Sequence, residues 1–185
     1  MYLLGHIGLT VFLAFVVEKY TKITLKNKKI FIGIGAMFPD FIDKPLLVAF
    51  HLEGRGIAHS LLGLSLLYFT GILVNELYIK KLEYRSAVNL IFIGCLAHLF
   101  EDMPSLPFNV IFWPFMGSIE STNPTDFLRG FENIVTVFSE IIGLILLVAL
   151  GIMENWSSKA WYRLFGIVIS YAIIFLSFYI LLIGF

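Results

Sequence analysis

Very little charge runs through this chain. Of 185 residues only 14% are Asp, Glu, Lys or Arg, and these divide into 13 acidic and 13 basic side chains. Soluble domains carry about 25% charged residues. With zero net charge, there is no electrostatic case for a nucleic-acid partner. Cysteine is almost absent. The single Cys95 excludes an internal disulfide and any cysteine zinc cluster, and its apolar neighbours make it a small packing residue. Proline is sparse too, and four of the six prolines fall between positions 102 and 133. No internal repeat or low-complexity stretch is visible. At the N-terminus no basic segment precedes the apolar run and no small-residue cleavage pattern follows it, so the run reads as a retained first helix rather than a signal peptide.

Apolar residues fill the space that charge leaves. They make up 59% of the chain, and mean hydropathy is +0.91. Crossing the hydrocarbon takes about 20 mostly apolar residues per helix. Six segments qualify or come near, at 2–18, 30–50, 57–79, 87–101, 134–153 and 162–184. The expected fold is therefore all-α: one domain over 1–185, built as a polytopic membrane bundle of about six helices. The second segment should break at Pro39. The proline-bearing stretch of about 102–133 should form an irregular apolar loop with short helical pieces over the outer face.

The basic residues fall unevenly between the connections. Lys19, Lys22, Lys26, Lys28, Lys29, Lys80, Lys81, Arg85, Lys159 and Arg163 share one side, against Lys44, Arg55 and Arg129 on the other. The positive-inside rule then places both termini outside the cytoplasm.

In that topology the few titratable residues gather. His6, Asp40, Asp43, His59, His98, Glu101 and Asp102 fall at the outer helix ends, and Glu140 lies about two turns into the fifth segment. Charge near a membrane core is costly, so it implies a partner or a function. His98 and Asp102 are four apart and share a helical face, as paired metal ligands on a helix do. A His/Asp set without cysteine points to a catalytic divalent ion over a structural one. Zinc is the first choice, with manganese, iron or magnesium also compatible, and such a site would activate water. Each residue also has a purely structural alternative. His6 is a possible interhelical hydrogen-bond partner, Asp40 and Asp43 a helix cap after Pro39, Ser60 a small packing residue, and Glu140 a cap or a partner for Arg129. Shared depth favours a common site.

The motifs resemble the LexA-regulated, membrane-bound, metal-dependent hydrolase family (YdjM-like), which is itself similar to the zinc-dependent phospholipase C and nuclease fold. The matching elements are "GH" at 5–6, "MFPDFID" at 37–43, "GRGIAHS" at 54–60, "GCLAHLFED" at 94–102, Pro104 and "WPF" at 113–115. The resemblance implies His6, Asp40, His59, His98 and Asp102 as metal ligands, and phosphoester hydrolysis as the chemistry. Asp43 stands three residues after Asp40 where the pattern has two, and Glu140 best matches a later acidic position. Gly54 replaces a histidine of the pattern and Ala58 a threonine.

Together these readings predict a membrane metal-dependent hydrolase acting on a lipid or amphiphilic phosphoester at the outer face. Asp102 or Asp40 would be the general base, and Arg55 would clamp phosphate through its planar fork. The apolar loop at 108–115 would cover the site or guide an acyl chain. The competing classes are an ion transporter, which would need a polar path to the cytoplasm, and a metal-binding scaffold without hydrolysis.

Overall fold

The computed structural model describes residues 3–25, 28–50, 56–103, 106–117 and 134–183. Among them there is no strand. Each of the six apolar segments becomes a long helix: α1 (Leu3–Tyr20), α2 (Lys29–Phe50), α3 (Leu61–Val74), α4 (Leu82–Asp102), α6 (Ile134–Met153) and α7 (Ser158–Ile183), with a short α5 (Phe108–Ile111) between α4 and α6. A short 3₁₀ turn, Ile57–His59, precedes α3, and a π turn, Asn75–Ile79, extends it. Three stretches among the described residues are long and apolar enough to cross a membrane: Leu3–Tyr20, Leu61–Ile79 and Ile134–Met153. In α2 and α4 the apolar character is broken by Lys29, Asp40, Asp43 and Lys44 and by Glu83, Arg85, Glu101 and Asp102.

Two close helix crossings set the architecture. In α2 and α4, a Cβ added at Gly35 would lie 2.0 Å from the Ile91 carbonyl oxygen, and one at Gly94 would lie 2.1 Å from that of Ile32. In α1 and α6, a Cβ at Gly8 would lie 2.1 Å from the Gly143 oxygen, and one at Gly143 would lie 2.1 Å from that of Leu4. Membrane helices gain no hydrophobic drive from meeting each other, so small residues that let backbones touch hold them together. α1 also packs on α2, and α3 on α4. At the end of the bundle remote from the histidines, Lys29 ties three elements by pairing with Glu18 of α1 and with Glu154, just past α6.

The expected break at Pro39 does not occur, and α2 runs unbroken through it. Proline lacks the N–H that would bond the Gly35 carbonyl. In helices packed this closely, neighbours re-satisfy the freed backbone groups. The next carbonyl along, that of Ala36, accepts a 2.7 Å hydrogen bond from His98 Nδ1 on α4.

Ser60 does more than pack. It is the N-cap of α3, its Oγ accepting from the Gly63 amide at 3.0 Å and donating to the Ile57 carbonyl at 2.8 Å. The helix therefore starts at Leu61, with His59 held in the 3₁₀ turn before it. In the proline-bearing stretch, Leu106, Val110 and Ile111 bury themselves against Leu64, Cys95 and Leu99. Phe108, Phe115 and Met116 are left exposed.

Candidate metal centre

Four elements bring one residue or pair each to the same end of the bundle. α1 supplies His6, α2 Asp40, the 3₁₀ turn His59, and α4 both His98 and Asp102. All three histidines are buried to 1% exposure or less. His98 Nε2 lies 3.2 Å from His59 Nε2, 3.9 Å from Asp40 Oδ1 and 3.8 Å from Asp102 Oδ2. His59 Nε2 is 3.4 Å from Asp40 Oδ1, and His6 Nε2 is 3.3 Å from Asp102 Oδ1. The His6 and His98 rings overlap, with centroids 3.9 Å apart.

The far side of each ring fixes which nitrogen carries hydrogen. His6 Nδ1 donates to Glu101 Oε2 at 2.6 Å, His59 Nδ1 to Asp43 Oδ2 at 2.7 Å, and His98 Nδ1 to the Ala36 carbonyl. Carboxylates and carbonyls only accept, so each Nδ1 carries a proton, and a ring that is neutral turns its Nε2 lone pair inward. With all three rings neutral, three lone pairs would converge with the Asp40 and Asp102 carboxylates. In that state the 3.2 Å contact between the His59 and His98 Nε2 atoms would be repulsive, and a bound cation would remove that repulsion. His6 Nε2 is the one buried side-chain polar atom among the described residues without a hydrogen-bond partner.

Histidines that bind metals are commonly held in this way, the second ring nitrogen donating to a carboxylate or backbone carbonyl. Two sets of three residues could each hold an ion: His6, His98 and Asp102, and Asp40, His59 and His98. Ligands about 2.1 Å from one ion at a tetrahedral angle stand about 3.4 Å apart, which falls within the separations seen. Both sets share His98, whose Nε2 offers one lone pair, so only one of them can use it at a time.

The remaining sequence candidates lie elsewhere. Asp43 sits behind His59, with Oδ2 also accepting from the Gly56 amide at 2.8 Å and Oδ1 from that of Ala58 at 3.3 Å. It holds the His59 ring from behind, on the side away from Asp40 and His98. Glu140, grouped with the ligands on sequence, accepts instead from the backbone amides of Leu4 and Gly5, both at 3.0 Å. It caps the start of α1, where free N–H groups need an acceptor, and so fixes the turn that carries His6. Arg55, Gly54, Pro104 and Arg129 lie outside the described residues.

The sequence reading placed Glu101 in the cluster without giving it a role; in the structure it takes both His6 Nδ1 and the Thr10 hydroxyl, the latter at 2.7 Å. His6 and Thr10 are four apart on α1 and share a face; that spacing was the available signal. Lys44, one turn after Asp40, pairs with Asp40 Oδ2.

Fold and cluster together define an all-helical membrane protein with a polar His/Asp centre at one end of its bundle. The model of the YdjM inner membrane protein family matches residues 1–181, and the chain belongs to that family. No curated protein and no solved structure matches it.

Proposed function

We propose that the chain is a membrane-embedded, metal-dependent hydrolase acting on a phosphoester of a lipid or other amphiphile at the outer membrane face. The observation that carries this is the convergence of three buried Nε2 atoms with Asp40 and Asp102, each ring held from behind by an acceptor. Such a set suits zinc, and admits iron or manganese. A divalent ion there supplies Lewis acidity toward a phosphoryl oxygen and lowers the pKa of water.

The protein's own groups have distinct tasks. Glu101, Asp43 and the Ala36 carbonyl hold the three rings in one tautomer. Asp102 or Asp40 takes the proton of the attacking water. Lys44, partly exposed and paired with Asp40, adds positive charge where an anionic headgroup would approach, and Arg55 supplies a bidentate phosphate clamp. Hydrolysis, rather than transport, is favoured by the composition of the helices: among the described residues α6 beyond Glu140 is wholly apolar, and α3 beyond Ser60 carries only Ser65, Tyr68 and Thr70.

Elemental analysis of protein purified in detergent should find close to one transition-metal ion per chain. The double variant His98→Ala, Asp102→Asn should lose it. Asp102→Asn alone should lower hydrolysis of a lipid phosphoester by about 10²–10⁴-fold or more. Full metal in the double variant refutes the ligand assignment. Full metal in a wild-type protein inert toward a broad panel of phosphoesters leaves a metal-binding scaffold instead.

A further inference from the structure

A cleft of 160 Å³ opens between α3 and α4, floored by Phe38 of α2. From α3 it takes Leu64, Leu67, Tyr68 and Gly71, and from α4 Val88, Ile91, Phe92 and Cys95. Both sets follow i, i+3, i+4, i+7, so each is one face of its helix. The lining is almost entirely apolar, since the Tyr68 hydroxyl donates to Asn89.

The cleft is in line with the metal centre. On α4 the face that carries Val88, Ile91 and Cys95 continues, at the same three-and-four spacing, into His98 and Asp102. On α3 the residue one turn before Leu64 is Ser60, next to His59. Ten residues separate Val88 from His98, a rise of about 15 Å. This is half the hydrocarbon thickness of about 30 Å, the depth of one leaflet. The volume is similar to that of an apolar protein cavity of about 150 Å³ that takes up benzene, room for a short stretch of methylenes. The Leu61–Ile79 span beside it is mostly exposed, and what surrounds such a helix in a membrane is acyl chain.

We propose that this cleft holds an acyl chain of the lipid substrate, running down α4 from a phosphoester placed at His98 and Asp102. The inference rests on the hydrolase reading and narrows it from amphiphiles in general to lipids whose chain lies along α3 and α4. A headgroup at the centre and a chain in the cleft together fix the ester at the reacting position, as binding of the non-reacting part of a substrate can do.

The test uses full-length protein in nanodiscs with a phosphatidylglycerol bearing a diazirine midway along one chain. Irradiation should label Leu67, Gly71 or Val88. Leu67→Trp, at a partly exposed position that tolerates bulk, should cut that labelling by about tenfold, as expected for excluding a few methylenes. Leu13→Trp, on the exposed face of α1, should leave it unchanged. In parallel, kcat/KM on wild-type protein should rise steeply from short-chain to long-chain phosphatidylglycerol. Labelling spread equally over α1 and the cleft and unmoved by Leu67→Trp overturns the proposal, as does turnover indifferent to chain length. Cleft labelling without turnover of any phosphoester keeps the lipid site and removes the hydrolase.

Discussion

At the scale of single residues, the most informative side chain is one outside both candidate ligand sets. Glu101 ends the apolar run of α4 and bonds both His6 and Thr10. Its task is to keep His6 in the Nδ1–H tautomer with Nε2 facing Asp102. Partners of this kind are typically worth 10–100-fold in metal affinity. Glu101→Gln preserves size but removes the charge, and should weaken metal binding by about that factor in a chelator competition. Thr10→Val should weaken it less, because one carboxylate oxygen still reaches His6. Unchanged affinity in Glu101→Gln would remove His6 from the ligand set. Residue types and spacing made His6, Asp40, His59, His98 and Asp102 legible as a group in the sequence, because costly polar residues in an apolar chain must find one another. The division between ligand and support was not legible. Asp43 and Asp102 look alike on paper, and only the backbone of the 3₁₀ turn, whose amides occupy Asp43, separates them.

At the scale of elements, the His/Asp cluster depends on how closely α2 and α4 approach. All six apolar segments were legible as helices from their length and composition. Their crossing was not, since a glycine in a helix carries no label for the neighbour it admits. Gly94 shows the consequence. A Cβ there meets backbone on three sides: the Ile32 oxygen at 2.1 Å, Gly35 Cα at 2.8 Å and the Ala36 nitrogen at 2.9 Å. These atoms yield only if the helices separate, which would also pull the Ala36 carbonyl from His98. Gly94→Ala should therefore cost at least the 1–3 kcal/mol typical of overpacking, despite the gain of up to about 1 kcal/mol in helix propensity. It should reduce metal content as well. Gly166→Ala, where nothing lies within 4 Å, should gain stability or leave it unchanged. Thermal unfolding in detergent together with metal analysis checks both, and a neutral Gly94→Ala would mean that the crossing is looser than described. Pro39 teaches the same point from the other side: the local rule predicted a break, and packing against α4 kept the helix whole.

At the scale of the whole molecule, the two ends of the bundle differ in kind. One gathers histidines and carboxylates from α1, α2, the 3₁₀ turn and α4. The other carries most of the lysines and arginines, with Lys29 drawn in between Glu18 and Glu154. Cytoplasmic loops hold an excess of Lys and Arg, so the asymmetry predicts that the lysine-rich end faces the cytoplasm and the candidate metal centre the opposite side. Cys95 is the only cysteine and is buried, so a Cys95→Ser background gives a blank chain for labelling. In that background Lys44→Cys, beside the centre, should react with a membrane-impermeant maleimide on intact cells. Lys28→Cys, in the exposed connection before α2, should react only after the membrane is opened. The reverse pattern would turn the molecule over and present the centre to the cytosol. The acyl-chain cleft would then draw from the inner leaflet, because it descends from the centre along α4 whichever way the bundle points.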